Sequence, residues 1–302
     1  MRIGVDLGGT KIEAILMAQD GTIKERKRVP TPRGNYSKTV TAISELVAEV
    51  GRNAPPSLPV GMGIPGTVSP ATGLIKNANS TWLIDKPFDK DLTTTMTRPV
   101  RLANDADCFA LSEAADGAGR GHNTVFGVIL GTGVGGGIVV NSALLSGPNA
   151  IAGEWGHNAM PWPTEDELPG HACYCGKSGC IETWLSGPAL KREATSQKSG
   201  SSSALEIGTQ AIAGDRAAQA LIERYTDRLA RALAGVINIL DPDVIVLGGG
   251  LSALEQLYTD VPEKWGAHVF SDTVTTQLLP NTHGDSSGVR GAAWLWPETE
   301  AR

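Results

Sequence analysis

Apolar positions along this chain follow two rhythms. Ile3-Gly4-Val5-Asp6-Leu7 and Phe126-Gly127-Val128-Ile129-Leu130 are short apolar runs, and each ends in a glycine–threonine turn, Gly8-Gly9-Thr10-Lys11 and Gly131-Thr132-Gly133. Each turn leads into a second β-rich run, residues 12–16 and 137–140. The pattern predicts strand, glycine turn, strand, and predicts it twice. A dinucleotide-binding unit would instead open a helix after G-x-G-x-x-G. The alternation of Ile12, Ala14 and Leu16, followed by the hairpin signal Asp20-Gly21, argues against that reading.

The second rhythm is helical. Val40, Ile43, Leu46, Val47 and Val50 recur at helix spacing, and Pro55-Pro56 ends the pattern before a buried strand, Val60 to Ile64, that stops at Pro65-Gly66. A loop-rich stretch from Ser69 to Trp82 carries Asn77, Asn79 and Ser80. Pro99 to Ala103 reads as a strand with Asn104-Asp105 at its end, then a helix that Gly117 and Gly119 stop, a candidate domain boundary. Lys198 to Ser203 reads as a flexible polar loop, and an amphipathic helix runs from about Asp215 to Leu240. Asp241-Pro242 ends it ahead of a buried strand, Val244 to Leu247, and Gly248-Gly249-Gly250. Val289 to Trp296 reads as a helix packing back onto the body. Strands and helices alternating within two halves predict an α/β protein with mixed sheets and a cleft between two lobes.

Composition narrows the partners. The 302 residues carry a net charge of −6 with no compensating basic block, which argues against nucleic acid and anionic membranes. Lys24 to Arg28 reads as a solvated strand or edge. No apolar run approaches the ~20 residues of a membrane span. The first strand begins almost at once, leaving no room for a secretory leader, so a cytoplasmic location is expected. Three of the four cysteines crowd into Cys173, Cys175 and Cys180, which in a reducing compartment reads as metal binding.

The chemistry-bearing residues fall into four groups. Asp6 at a strand end can hold Mg²⁺, Gly8, Gly9 and Thr10 offer donors to phosphate, and Lys11 can neutralise developing charge. Thr132 and Gly133 repeat the phosphate device without the acid, since Ile129 stands where Asp6 would. Without its copy, Asp6 could simply cap a turn. Gly249 and Gly250 read either as a plain strand-to-helix turn or as bare backbone against adenine and ribose. Asn104 and Asp105 are each good helix caps. The chemical reading makes Asp105 the base beside an accepting hydroxyl, where phosphoryl transfer asks mainly for positioning, and Asn104 a sugar contact.

Cys173-Tyr174-Cys175-Gly176-Lys177-Ser178-Gly179-Cys180 folds three thiolates around a tight turn, and one more donor would complete a tetrahedral zinc site. His157 and His171 are both candidates, and three free buried cysteines are the bland alternative. Four protein ligands leave no open position, so the metal would be structural. Glu154 and Glu182 flank this knuckle and read either as solvated surface, as isolated glutamates usually do, or, beside a metal-ordered loop, as acceptors for sugar hydroxyls. Trp155, Trp162 and Trp184 read as core or cleft wall.

Asp6 to Lys11, Gly131 to Gly133, Glu154-Trp155-Gly156-His157 and the Cys173 to Glu182 knuckle together resemble the ROK family of repressors, open reading frames and kinases, across essentially the whole chain. Gly61 to Gly66, Lys76 to Trp82 and Gly284 to Arg290 are similar to the family's bacterial fructokinases. The resemblance implies an actin-like ATPase (ribonuclease H-like) fold. A small lobe would span 1–118, with a C-terminal helix at 289–302 on it, and a large lobe with the zinc knuckle would span 119–288. It implies ATP-dependent phosphorylation of a free hexose, most plausibly fructose at its 6-hydroxyl, with mannose, glucose or an N-acetylhexosamine as alternatives. It further implies that Asp105 is the base, that Gly66, Asn79, Asn104, Glu154, His157 and Glu182 line the sugar site, and that the chain forms a homodimer. His157 would serve twice, one ring nitrogen on zinc and the other on a sugar hydroxyl. The insert from Pro161 to His171 is longer than in many relatives and keeps His171 open as a ligand. Family repressors place a DNA-binding segment ahead of the first glycine turn. That turn lies within the first ten residues here, so direct DNA binding is not expected, and a non-catalytic sugar-responsive regulator is the lesser alternative.

Overall fold

The computed structural model describes residues 1–196 and 203–297. The polar loop expected over 198–203 lies outside the described residues except for Ser203, as does the expected helix beyond 297.

Strands β1 (Arg2–Leu7) and β2 (Lys11–Met17) form the first hairpin, with Arg2 opposite Met17 and Leu7 opposite Ile12. The glycine turn therefore joins strand to strand, as the alternation at Ile12 to Leu16 predicts. After the Asp20-Gly21 turn, β3 (Ile23–Pro30) runs back along β2 as an edge strand. Its exposed Lys and Arg side chains suit an unpaired edge, and Arg26 and Arg28 reach the buried Glu13 of β2 at 2.5 and 2.6 Å. Helix α1 (Tyr36–Val50) starts at Asn35, whose side chain accepts from the Lys38 N–H, and it buries the five residues that helical spacing picked out. Next come β4 (Val60–Ile64), a small ribbon of β5 (Thr67–Val68) and β6 (Ile75–Lys76), and α2 (Phe88–Met96). Strand β7 (Val100–Asn104) runs directly into α3 (Asp105–Asp116). The second glycine turn joins β8 (Thr124–Leu130) to β9 (Val134–Val140), followed by β10 (Ala143–Leu144). The chain continues through α4 (Glu182–Leu185), α5 (Gly187–Ser196), α6 (Ala204–Ile212) and the long α7 (Arg216–Leu240). It finishes with β11 (Val244–Gly248), α8 (Leu257–Trp265), β12 (Gln277–Pro280) and α9 (Ser287–Trp294).

Two sheets of five strands have the same connection order, β3-β2-β1-β4-β7 and β10-β9-β8-β11-β12. In each, the chain enters at the central strand, adds two strands outward on one side, then two on the other. The inner pairs β1–β4, β4–β7, β8–β11 and β11–β12 are parallel, while β1–β2 and β9–β10 are antiparallel. Both sheets are thus mixed, and the short repeat seen in the sequence extends to the topology of two whole sheets. Two compact units result: residues 1–120, 137–152 and the stretch from Asp285 form one, residues 121–136 and 153–284 the other. One boundary falls between 120 and 121, close to the cut near 118 that the glycine pattern suggested, and the chain crosses between the units again within β9, after 152 and after 284.

In the first unit α9 lies directly on β1 and β4. A Cβ at Gly61 would fall 1.8 Å from the Ala292 carbonyl oxygen, so only glycine permits the approach. The segment is also held by its tryptophans: the Arg2 guanidinium sits 4.2 Å above Trp294, and Trp296 donates from Nε1 to the Val60 carbonyl at 3.0 Å.

In the second unit α7 is the spine. Asp215 caps it by accepting from the Ala218 N–H at 2.8 Å, and Leu221, Tyr225, Leu229, Leu233 and Ile237 are buried along one face. The insert before the knuckle docks on this helix. Glu167 ends a single helical turn, Glu165–Glu167, and its buried carboxylate binds Arg228 at 2.7 Å and Arg231 at 2.9 Å.

Candidate functional site

In the first unit the site residues collect at the carboxyl ends of the parallel strands β1, β4 and β7, where open α/β sheets place their ligands. The Gly8 N–H donates to the Lys11 carbonyl at 3.0 Å and closes the first turn. Thr31 Oγ1 donates to the Gly8 carbonyl at 2.7 Å, Arg33 Nε to that of Gly9 at 2.5 Å, and the Thr31 N–H to that of Thr10 at 3.0 Å. The turn's carbonyls are therefore taken. The N–H groups of Gly9 and Thr10 have no backbone partner among the described residues, which suits an anion. Thr31 and Arg33 were not singled out in the sequence, although they follow β3 directly in Thr31-Pro32-Arg33-Gly34.

Asp6 is pushed up to about 7, first by burial, then by the Asp105 and Glu13 carboxylates, with Lys11 opposing. A hard divalent cation would relieve that cost, so Asp6 fits the Mg²⁺ role. Asp105 opens α3, is exposed, and accepts the Ala106 N–H through Oδ1 at 2.9 Å. Asn104 is the cap of that helix: its Oδ1 accepts from Ala106 at 2.9 Å and its Nδ2 donates to the Gly66 carbonyl at 3.3 Å. Both ends of its amide thus serve the fold. Gly66 packs against Ala78, which places exposed Asn79 beside it.

The second unit brings together Thr132, Gly133, Glu154, His157, the knuckle and Glu182. The second turn closes through the Gly131 N–H and the Gly133 carbonyl at 3.0 Å. Glu182, expected as a sugar acceptor, is also tied to this turn, its Oε2 accepting the Val134 N–H at 2.9 Å. Sequence alone could not show this, because 48 positions separate the two residues. Gly249 (φ +80°) sits against the end of β8, where a Cβ would fall 2.4 Å from the Leu130 carbonyl oxygen. It is therefore required by packing, while a Cβ at Gly250 next to it would meet nothing within 4 Å.

His157, Cys173, Cys175 and Cys180 place their donor atoms within 4.8 Å of one another. Cys173 Sγ lies 3.6 Å from His157 Nδ1, and Cys175 Sγ lies 3.6 Å from Cys180 Sγ. Sulfurs of a tetrahedral zinc site are about 3.8 Å apart, so the spacing fits that ion. Burial, then Cys175 and Cys173, push the Cys180 thiol up to about 12, a cost a divalent cation would remove. His171 is not in the cluster. It packs on the Trp184 ring at 4.7 Å, where burial, then Arg192 and Arg228, lower its pKa. His157 Nε2, expected to meet a sugar hydroxyl, bonds Tyr174 Oη at 2.9 Å. Although the tyrosine side chain as a whole is largely exposed, desolvation at its hydroxyl, then Glu182 and Glu154, push that phenol up to about 12.

Duplicated mixed sheets, each with a glycine turn after its central strand, define an actin-like ATPase fold. The chain belongs to the ROK family, whose pattern matches residues 2–299. It is 39% identical over 299 residues to an N-acetyl-D-glucosamine kinase of Yersinia pseudotuberculosis, covering 98% of each chain. A ROK hexokinase structure from Thermus thermophilus is similar with a TM-score of 0.85 and 31% identity, covering 97% of both chains. A ROK glucokinase from Streptomyces griseus, solved with glucose and AMPPNP, gives 0.76 and 28%, again over 97% of both. The fructokinase resemblance expected from Gly61 to Gly66, Lys76 to Trp82 and Gly284 to Arg290 is not matched by the Yersinia relative, which is an N-acetyl-D-glucosamine kinase. Among the described residues no helix is long and apolar enough to cross a membrane.

Proposed function

We propose that this chain transfers the γ-phosphoryl group of ATP to a hydroxyl of a free hexose, with N-acetyl-D-glucosamine the preferred acceptor and fructose the second reading. The observation that carries it is the first glycine turn: its carbonyls are tied back by Thr31 and Arg33, its Gly9 and Thr10 N–H groups face no backbone partner among the described residues, and two carboxylates, Asp6 and Asp105, share its end of the sheet. The Yersinia relative supports the acceptor, and the Streptomyces structure supports the nucleotide.

In this reading Asp105 takes the proton of the attacking hydroxyl, and Gly9, Thr10, Lys11, Thr132 and Gly133 hold phosphate oxygens. Gly249 and Gly250 offer backbone to the nucleoside. Gly66, Asn79, Asn104, Glu154 and His157 orient the hexose, while Glu182 acts by holding the second turn. Asp6 would hold Mg²⁺, which supplies charge neutralisation on the phosphates. His157, Cys173, Cys175 and Cys180 would hold zinc, which supplies rigidity rather than Lewis acidity. A homodimer in the cytoplasm belongs to the same reading, and light scattering at about twice the chain mass would support the dimer.

A coupled ADP-release assay across N-acetylglucosamine, fructose, mannose and glucose tests the function. The highest kcat/KM is expected for N-acetylglucosamine. A higher value for fructose reverses the preference, and no turnover on any of the four ends the kinase reading.

Zinc has its own test. Elemental analysis is expected to give about one zinc per chain, and Cys175→Ser to lose it together with hexose affinity. Full hexose affinity in metal-free Cys175→Ser would show that the knuckle does not organise the site.

A further inference from the structure

The tyrosine between the first two knuckle cysteines stands where a ligand of His157 is expected. His157 turns Nδ1 toward Cys173 Sγ at 3.6 Å and Nε2 toward Tyr174 Oη at 2.9 Å, with the two rings edge to face at 5.1 Å. A ring nitrogen that gives its lone pair to a cation leaves the proton on the other nitrogen. Nε2 is then the N–H, and Tyr174 Oη accepts from it. One N–H serves one acceptor at good geometry. The nitrogen assigned to a hexose hydroxyl is thus already occupied by a hydroxyl of the protein itself.

Little else holds that hydroxyl in place. Tyr174 is 76% exposed, and its Oη has no second hydrogen bond among the described residues. Glu182 and Glu154 are the carboxylates that act most strongly on its phenol, and the second is also assigned to the hexose. An exposed aromatic with one hydrogen bond and one ring-edge contact can leave by side-chain rotation alone.

We propose that Tyr174 is a stand-in for the hexose: its hydroxyl takes the same nitrogen of His157 that the sugar would use, must swing away for the sugar to bind, and so sets the affinity for it. This rests on the hexose-kinase reading of the site. Apparent affinity falls by the fraction of protein whose binding-competent state is populated. One neutral hydrogen bond corresponds to roughly a 2- to 10-fold effect.

The test is calorimetric titration of N-acetylglucosamine, fructose, mannose and glucose into the zinc-loaded full chain, wild type against Tyr174→Phe, with zinc content measured on both. Tyr174→Phe is expected to bind its hexose about 2- to 10-fold more tightly, with zinc retained, KM for the hexose lowered in step and KM for ATP unmoved. Tyr174→Leu, which also lacks the ring contact, is expected to tighten binding at least as much. Unchanged or weaker hexose binding by Tyr174→Phe overturns the proposal. Weaker binding with loss of zinc does so too, and makes the tyrosine a holder of the histidine tautomer instead. If wild type binds none of the four sugars, the proposal falls together with the hexose reading. If wild type binds and the variants do not tighten, only the tyrosine's role falls.

Discussion

Asp105→Asn is expected to lower kcat by about 10²- to 10⁴-fold while nucleotide affinity and folding stability stay near wild type. The two side chains have the same shape, and both can accept the Ala106 N–H that Asp105 Oδ1 now holds at 2.9 Å. The neighbouring cap is untouched, because Asn104 makes its own bond to Ala106. What the amide cannot do is take a proton from an attacking hydroxyl. The loose transition state of phosphoryl transfer delays the demand for a base, which favours the lower part of that range. Steady-state ADP release, nucleotide titration and thermal melting separate the three quantities. Turnover within tenfold of wild type would remove Asp105 from the role of base. A large loss of melting temperature would mean that the substitution had disturbed the start of α3.

The second large effect is on stability. Glu167→Gln is expected to cost about 1.5–3 kcal/mol, because buried Arg228 and Arg231 lose the carboxylate they share while Arg228 keeps Glu193 and Arg231 keeps Asp227. Burial alone would raise the pKa of Glu167, but hydrogen bonds from Arg231, Arg228 and the Thr164 N–H outweigh it and hold the carboxyl down to about 2. The folded value lies below the unfolded one, so the stabilisation is complete above the ordinary carboxylate range and disappears as pH falls through about 4.5 toward 2. The gap in urea midpoint between wild type and Glu167→Gln should therefore be wide at pH 7 and close progressively below pH 4.5. A gap that stayed constant down to pH 3 would show that the arginines do not control this carboxyl. The insert from Pro161 to His171 acquires a physical purpose in this way: it docks the chain entering the knuckle on α7.

Much of the fold was legible because its signals are local. The glycine turns announced both hairpins, since a strand that alternates on leaving a turn cannot be a helix. Helix α1 followed from five apolar residues at helical spacing, and α7 from its amphipathic run between Asp215 and Asp241-Pro242. The site was legible in part for the same reason, because Asp6, Asp105 and the three cysteines are conspicuous by chemistry and spacing. Thr31 and Arg33 were not, because a threonine and an arginine after an edge strand look like ordinary surface until the chain folds their donors onto Gly8 and Gly9. Glu182 was picked out for its place beside the knuckle, but its bond to the second turn was not legible.

By itself, then, the sequence determined the paired strand–turn–strand units, the α/β alternation, the thiol cluster and the acid at the head of α3, all of which depend on residues within a few positions of one another. Only the tertiary structure decided that His157 and not His171 joins the cysteines, that Tyr174 covers its second nitrogen, and that the topology of the two sheets repeats strand for strand. Those outcomes turn on side-chain direction and long-range packing. Residues as far apart as Val134 and Glu182, or Glu167 and Arg231, become partners only after the intervening chain has found its place.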